Sequence, residues 1–446
     1  MKIQPIALIA PKRWPFFYGW FIIFLGTFGI LMSIPGQTIG VSTFTDSLLS
    51  VLALNRDQLS LAYMCGTITS AMMLTWAGRL YDRTGAKPLA AMAALGLAIT
   101  LVLLSISDVI ATFFGGGFWA SFFVLALGFV MLRFFGQGVL TLASQNMMVK
   151  WFDKRRGFAM SFSSVTLALG FSLAPLLLDL LIQGWGWRGA WRLIALVMGT
   201  IVPLIILLFF IDNPQSCGLK PDGDFIVKKG NKRKNLNLVY KEFTLPEARR
   251  TFSYWVFVFF LAMQGLFTTG FAFHVVSIFA ESGLTRQMAL SVFPPAATIA
   301  MTITFVFSWW SDYLPLKYIL LLKGVGATIA TLGLLYLPHA NAAYYLLIIG
   351  YGVSGGLYRV IYAVSWPRMF GQAHLGAISG QAMTVIVFGS ALGPVLFSLS
   401  LSQIGSYALA ALCCTSIYVF LTIAALFANN PQDKWEGNEN QNQNGN

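Results

Sequence analysis

Long apolar runs alternate with short polar connections along the chain, and the length of those runs decides what it can fold into. A transmembrane helix needs about 20 predominantly apolar residues. Twelve stretches meet that need, at roughly 17–43, 58–79, 88–107, 119–148, 157–181, 190–211, 252–278, 287–311, 316–337, 342–367, 376–402 and 405–428. A bilayer interior offers no water to satisfy free backbone groups, so such runs form helices. Six precede and six follow a polar segment that contains Asn213-Pro214, Lys220-Pro-Asp-Gly223 and the basic run 228–234. The pattern predicts an all-α polytopic membrane protein with twelve transmembrane helices in two six-helix halves. The expected organisation is an N-tail over 1–16, a first half over 17–211, a linker over 212–251, a second half over 252–428 and a disordered tail over 429–446.

Composition agrees. Of 446 residues 57% are hydrophobic and only 10% charged, against about 25% charged in a soluble protein. The net charge of +13 would suggest a nucleic-acid binder in a soluble chain. Here its distribution explains it. With the N-terminus on the cytoplasmic side, 23 of the 29 basic residues, Lys317 and Lys323 among them, fall on that side. Only Arg56, Arg188, Arg192 and Arg286 fall opposite, and Arg133 and Arg359 lie inside spans. An excess of Lys and Arg marks cytoplasmic loops, so both termini are expected in the cytoplasm, with the protein in a plasma (cell inner) membrane. No nucleic-acid partner is called for. The apolar run after Tyr18 is longer than a signal-peptide core and reads as a retained span. Four cysteines, two of them adjacent, read as packing residues rather than a disulfide framework.

Two segments 230 residues apart share a pattern. Between the second and third runs the chain reads Gly78-Arg-Leu-Tyr-Asp82-Arg83-Thr-Gly85-Ala-Lys87, and between the eighth and ninth Ser308-Trp-Trp-Ser-Asp312-Tyr-Leu-Pro-Leu-Lys317. Asp and Lys recur at the same spacing at equivalent places in the two halves, as expected of a duplicated six-helix unit.

The Gly78–Lys87 segment has the form G-x3-D-R-x-G-x-K, and together with twelve spans around a central linker it resembles the major facilitator superfamily over essentially the whole chain. The resemblance implies that Gly78, Asp82, Arg83, Gly85 and Lys87, with Asp312 as the counterpart, gate the rocking of the halves. It further implies that Asp82 meets the N-terminal dipole of a helix near Gly376 in one conformation. Tyr18-Gly19-Trp20, Trp151-Phe-Asp-Lys-Arg-Arg-Gly-Phe-Ala159, Leu219-Lys-Pro-Asp-Gly223 and Gly389-Ser-Ala-Leu-Gly-Pro394 are similar to the oxalate:formate antiporter and monocarboxylate transporter-like branch. The spans where that branch carries basic residues, the first, eighth and eleventh, lack them here, so substrate identity does not carry over.

A charge at the centre of a bilayer costs roughly 2.5–3.5 kcal/mol on insertion scales, so Arg133 and Arg359 are functional candidates by default. Arg359 stands 11 residues before Phe370, roughly 16 Å at 1.5 Å per residue, near mid-depth. All sixteen carboxylates fall in loops, tails or span ends, leaving none to neutralise either guanidinium. Planar guanidinium forks suit a carboxylate or similar oxyanion. Arg133 also opens Arg133-x-x-Gly136-Gln137-Gly138, similar to a superfamily motif tied to coupling or packing. Gln137 follows Arg133 at i+4 and Tyr362 follows Arg359 at i+3, on the same helical faces. Pro35-Gly36-Gln37 should loosen the first helix and bring Gln37 to a cavity; Gln264 offers hydrogen bonds in the seventh span.

His274, in a span away from its cytoplasmic end, is the leading side chain for proton coupling, because imidazole titrates near neutral pH. The predicted function is a secondary transporter of small organic anions, monocarboxylates by resemblance, working by alternating access with proton coupling or anion exchange. Alternatives are uptake of a larger aromatic nutrient such as a vitamin, export of amphipathic drug-like compounds, and a sensor that kept the transporter fold. No nucleotide motif, metal constellation or nucleophile arrangement points to an enzyme, a cofactor or a metal. A monomer in the lipid bilayer, with a small anionic substrate and a proton as partners, completes the expectation.

Overall fold

A computed structural model describes residues 11–54, 56–222 and 239–435. The basic run 228–234 and the tail from 436 lie outside the described residues. Every regular element among the described residues is helical. Nine segments among them are long and apolar enough to cross a membrane: Ala86–Ser105, Gly117–Lys150, Leu177–Phe209, Phe252–Glu281, Gln287–Ser311, Leu316–Leu335, Asn341–Phe370, Leu375–Ile404 and Ala408–Ala425. The other three expected runs are helical but depart from a simple span. The first is cut by a 3-10 turn, Ile34–Gly36, where Pro35 removes a backbone donor. The second lies in Arg56–Thr84, whose ends carry charge. The fifth and sixth join into one helical stretch, broken where Gly186 takes φ 68°, ψ 163°, a conformation that suits only glycine.

The chain divides into two compact units. The first comprises Met1–Asp153, Thr166–Lys229 and Ser379–Met383. It contains α1 (Gly19–Met32), α2 (Thr38–Leu52), α3 (Arg56–Thr84), α4 (Ala86–Ser105), α5 (Ser107–Phe113), α6 (Gly117–Leu132), α7 (Thr141–Lys150), the later part of α8 (Arg156–Gly199) and α9 (Ile201–Phe209). Between α6 and α7 the helix widens into a π segment, Arg133–Leu140. Small residues bring backbones together there, as is common where helices pack in lipid. A Cβ on Gly36 would lie 2.7 Å from the Cα of Gly136, so the 3-10 turn and the π segment touch through their main chains.

The second unit comprises Lys154–Val165, Gly230–Ile378 and Thr384–Asn446. It holds the start of α8, then α10 (Leu245–Arg249), α11 (Phe252–Glu281), α12 (Arg286–Leu290), α13 (Phe293–Ser311), α14 (Leu316–Leu335), α15 (Asn341–Phe370), most of α16 (Leu375–Ile404) and α17 (Ala408–Ala425). α15 seats against α13 and α14 through glycines. A Cβ on Gly352 would lie 2.7 Å from Ile299 and 2.8 Å from the Ala296 carbonyl, and one on Gly350 would lie 2.6 Å from the Gly326 carbonyl.

The folded chain extends past the expected boundary at 428. Gln432 is 1% exposed. Its Oε1 accepts from the backbone N–H of Tyr240 and Lys241, both at 3.0 Å. Its Nε2 donates to the carbonyls of Lys241 at 2.8 Å and Met369 at 3.1 Å. Residues 429–435 are thus part of the fold, which corrects the expectation of disorder for those seven residues. One amide satisfies four backbone groups there, which a polar composition does not reveal. Within the linker, Thr244 and Glu247 form a capping box at the start of α10. The backbone N–H of Thr244 and the ammonium of Lys241 hold the Glu247 carboxyl down at about 2.

Candidate functional site

In the first unit the π segment delivers Arg133 to the broken first span. Its side chain is 2% exposed. Nη1 donates to Thr38 Oγ1 at 3.2 Å and to the Gly36 carbonyl at 3.4 Å, and the guanidinium carbon sits 5.2 Å from the centroid of the Tyr63 ring. The 3-10 turn is what frees the Gly36 carbonyl for this bond. Tyr63 and Thr38 share a hydrogen bond of 2.8 Å. Nε of Arg133 is buried without a partner. Beside it, Gln37 Nε2 donates to Ser33 Oγ at 3.1 Å and to Thr141 Oγ1 at 3.4 Å. Gln137, one turn along from Arg133, is half-buried.

In the second unit Arg359 lies in the middle of α15 and is half-buried. No hydrogen bond or ion pair to its guanidinium occurs among the described residues; its electrostatic neighbours are Tyr358 and Tyr351. Open space adjoins it. Gly355, one turn earlier, has no atom within 4 Å of where a Cβ would sit, in contrast to Gly350, Gly352 and Gly356 on the same helix. Tyr358 and Tyr362 stack on each other, with centroids 6.1 Å apart and planes at 12°. Trp366, a further turn along, is 2% exposed and packs 5.7 Å from Tyr254.

Gln264 belongs to a network that sequence reasoning missed. It is 5% exposed, and its Oε1 accepts from Lys323 Nζ at 3.1 Å and from Ser354 Oγ at 2.6 Å. Its Nε2 donates to Thr268 Oγ1 at 3.0 Å. Lys323, grouped by the charge distribution with cytoplasmic Lys317, is fully buried in α14 and corrects that count. The signal was present: Leu320, Leu321 and Leu322 precede it within the same apolar run. Its nearness to Lys317 concealed it.

His274 stands apart, ten residues beyond Gln264 on α11. Its Nε2 faces the Pro394 carbonyl at 3.1 Å, and its Nδ1 faces the Tyr407 hydroxyl at 3.2 Å. A carbonyl only accepts, so Nε2 carries a hydrogen. The Tyr407 hydroxyl donates to Ser277 Oγ at 2.9 Å. The imidazole thus ties α11 to α16 and to the start of α17.

The repeated segments hold backbone ends. Gly85 (φ 84°) turns the chain between α3 and α4, and Asp212 fixes that turn. Its Oδ1 accepts from Tyr81 at 2.9 Å and from the Ala86 N–H at 3.1 Å, and its Oδ2 pairs with Lys150 at 2.9 Å. Lys87 Nζ donates to the Leu207 carbonyl at 2.9 Å. Asp82 and Arg83 occupy the last turn of α3, half-buried and exposed respectively. Within the same unit, a Cβ on Gly380 would lie 3.2 Å from the Cα of Gly78, so both positions serve a close backbone approach. In the second unit Asp312, just past α13, accepts from the N–H groups of Gly157 at 3.0 Å and Phe158 at 3.3 Å at the start of α8. Burial pushes its carboxyl up to about 6, against the lowering effect of those bonds and of Arg156 and Arg368.

The sequence matches the profile described as Major Facilitator Superfamily over residues 16–394. No curated protein sequence matches it significantly. Among solved structures, the fold is similar to that of a variant of the E. coli fucose:proton symporter, with a TM-score of 0.61 at 15% identity over 92% of this chain and 98% of that one. It is also similar to a proton:xylose symporter bound to 6-bromo-6-deoxy-D-glucose, with a TM-score of 0.59 at 16% identity over 94% and 98%. At these identities the likeness concerns the fold.

Proposed function

From a chain that belongs to the major facilitator superfamily, and is therefore a multi-pass membrane transporter, we propose one that carries small organic anions, monocarboxylates first among them, by alternating access. The observation that carries this reading is Arg359: a guanidinium in the middle of a membrane helix, beside the open space at Gly355, with no carboxylate bonded to it among the described residues. An unpaired charge in such a place is costly, and an anionic solute supplies the missing partner through a bidentate fork. Gln137 and Tyr362 are assigned as further substrate contacts. Arg133 and Gln37 are assigned to the same task from the first unit, where their bonds around Gly36 and Ser33 position the broken helix. The segments around Asp82 and Asp312 act as conformational latches. The bias of basic residues supports cytoplasmic termini in an inner membrane.

The solved neighbours are named as sugar symporters, yet an uncharged sugar leaves Arg359 without a counter-charge. The stacked Tyr358–Tyr362 pair supports one second reading, an aromatic carboxylate of vitamin size rather than a short-chain acid. Both readings are tested by counterflow of labelled monocarboxylates and aromatic acids in proteoliposomes. Arg359→Ala should abolish uptake while the protein stays monodisperse; uptake with unchanged apparent affinity refutes the anion anchor.

A further inference from the structure

Anion transport as proposed makes no use of Lys323. Its ammonium is caged by neutral groups only. Gln264 Oε1 lies at 3.1 Å, and the Phe260 carbonyl and Ser354 Oγ both lie at 3.5 Å. The rings of Phe260 and Tyr418 have centroids 5.2 and 5.5 Å from Nζ, close enough for cation–π attraction. α11 thus presents Phe260 and Gln264, α15 presents Ser354, and α17 presents Tyr418, the titratable group that faces the amine directly. The Tyr418 hydroxyl is itself buried without a hydrogen-bond partner. Among the described residues no carboxylate pairs with Lys323, and α13, also packed on α14, contains no ionisable side chain.

Unlike the guanidinium of Arg359, an amine can give up its proton. The cage is linked to the Arg359 side of α15. Gln264 Nε2 donates to Thr268, Thr268 shares a hydrogen bond with Tyr351, and Tyr351 is an electrostatic neighbour of Arg359.

We propose that Lys323 is the proton-binding site that couples anion movement to the proton gradient. The proposal rests on the anion-transport reading. With Lys323 protonated, it and Arg359 both carry positive charge; a monocarboxylate at Arg359 supplies a balancing negative charge. Protonation therefore favours anion binding, and anion binding favours protonation by the same factor, because linkage between two sites is reciprocal. One proton on the amine and one anion at the guanidinium cross together and leave together, so no net charge moves. The amine returns neutral.

The test uses purified full-length protein in proteoliposomes with a pH-sensitive dye inside and a labelled monocarboxylate outside. In wild type, an inward proton gradient should raise net uptake, on the order of 5–150-fold for a coupling of ordinary size, with acidification of the lumen. Lys323→Gln, always neutral, and Lys323→Arg, always charged, should both lose that stimulation and the acidification; Lys323→Arg should keep anion-for-anion counterflow, and Lys323→Gln should keep it with a raised half-saturating anion concentration. Retained counterflow reports an intact fold. Should counterflow fall as well, proton uptake on adding the anion to detergent-solubilised protein decides: wild type takes up a proton, whereas Lys323→Arg, still stabilised thermally by the anion, takes up none. Proton coupling that survives either substitution overturns the assignment. So does a loss of coupling in His274→Gln with Lys323→Gln unaffected. A wild type without counterflow of any anion removes the transport reading and this site with it.

Discussion

Asp312→Asn probes the proposed latch at the end of α13. In the wild type the carboxyl is largely buried against the start of α8, and burial raises its pKa from 3.8 to about 6. A shift of about 2 units corresponds to roughly 3 kcal/mol, since each unit is worth about 1.4 kcal/mol. The sign follows from linkage. The docked state holds the proton more tightly than any state in which Asp312 meets water, so protonation favours docking. That contribution grows as pH falls below about 6, is complete below 3.8, and is lost as pH rises through 6. Between pH 7 and pH 5 it amounts to about 1.3 kcal/mol, close to a tenfold change in the docked-to-undocked ratio. The two N–H bonds from Gly157 and Phe158 favour the charged form, but burial outweighs them.

The assay is hydrogen exchange of peptides spanning the start of α8, corrected for the intrinsic pH dependence of exchange. Wild-type protection at Gly157 and Phe158 should rise about tenfold from pH 7 to pH 5 as Asp312 takes up its proton. Asp312→Asn, which has nothing to titrate, should show a flat profile. Protection in the wild type that is flat, or that falls toward pH 5, refutes the burial argument.

Three further outcomes are expected. Gly355→Leu fills space that no atom occupies within 4 Å and replaces a poor helix former. Thermal stability in detergent should therefore hold or rise, by up to about 1 kcal/mol, while uptake is lost; Gly352→Leu, facing Ile299 and the Ala296 carbonyl, should instead fail to yield monodisperse protein. Arg133→Ala strands the buried Gly36 carbonyl while Thr38 keeps its bond with Tyr63, which should lower stability by roughly 1–3 kcal/mol in a thermal melt. Gln432→Ala should leave the N–H groups of Tyr240 and Lys241 without an acceptor and speed hydrogen exchange over 239–243, with a cost of similar order, about 1–3 kcal/mol.

The helices and the break at Pro35 were legible in the sequence, because each follows from a local property: run length and a missing donor. What was not legible depends on where a side chain ends up in three dimensions. Gln264 read as a residue that offers hydrogen bonds from the seventh span, and its amide is taken up by Lys323, Ser354 and Thr268. Trp366 shares a helical face with Arg359 by spacing, yet neighbouring Tyr254 buries it. The periodicity of one helix cannot report what a second helix brings against it.

Lys323 and Arg359 show the same limit from opposite sides. Both are basic residues within apolar runs. Arg359 declared itself because it stands far from either end of its span, whereas Lys323 sits in the second turn of α14, where a long side chain can ordinarily reach back to the interface. Depth along the helix decides whether snorkelling is available; the facing helices decide whether it happens. Here Phe260, Gln264, Ser354 and Tyr418 close around the amine, and Lys323 is fully buried. Arg359 and, when protonated, Lys323 are then two cations within the spans, one beside open space and one buried, with no acid bonded to either among the described residues. A mobile anion suits the first and a mobile proton the second, and that division of labour ties the two proposals to a single charge balance.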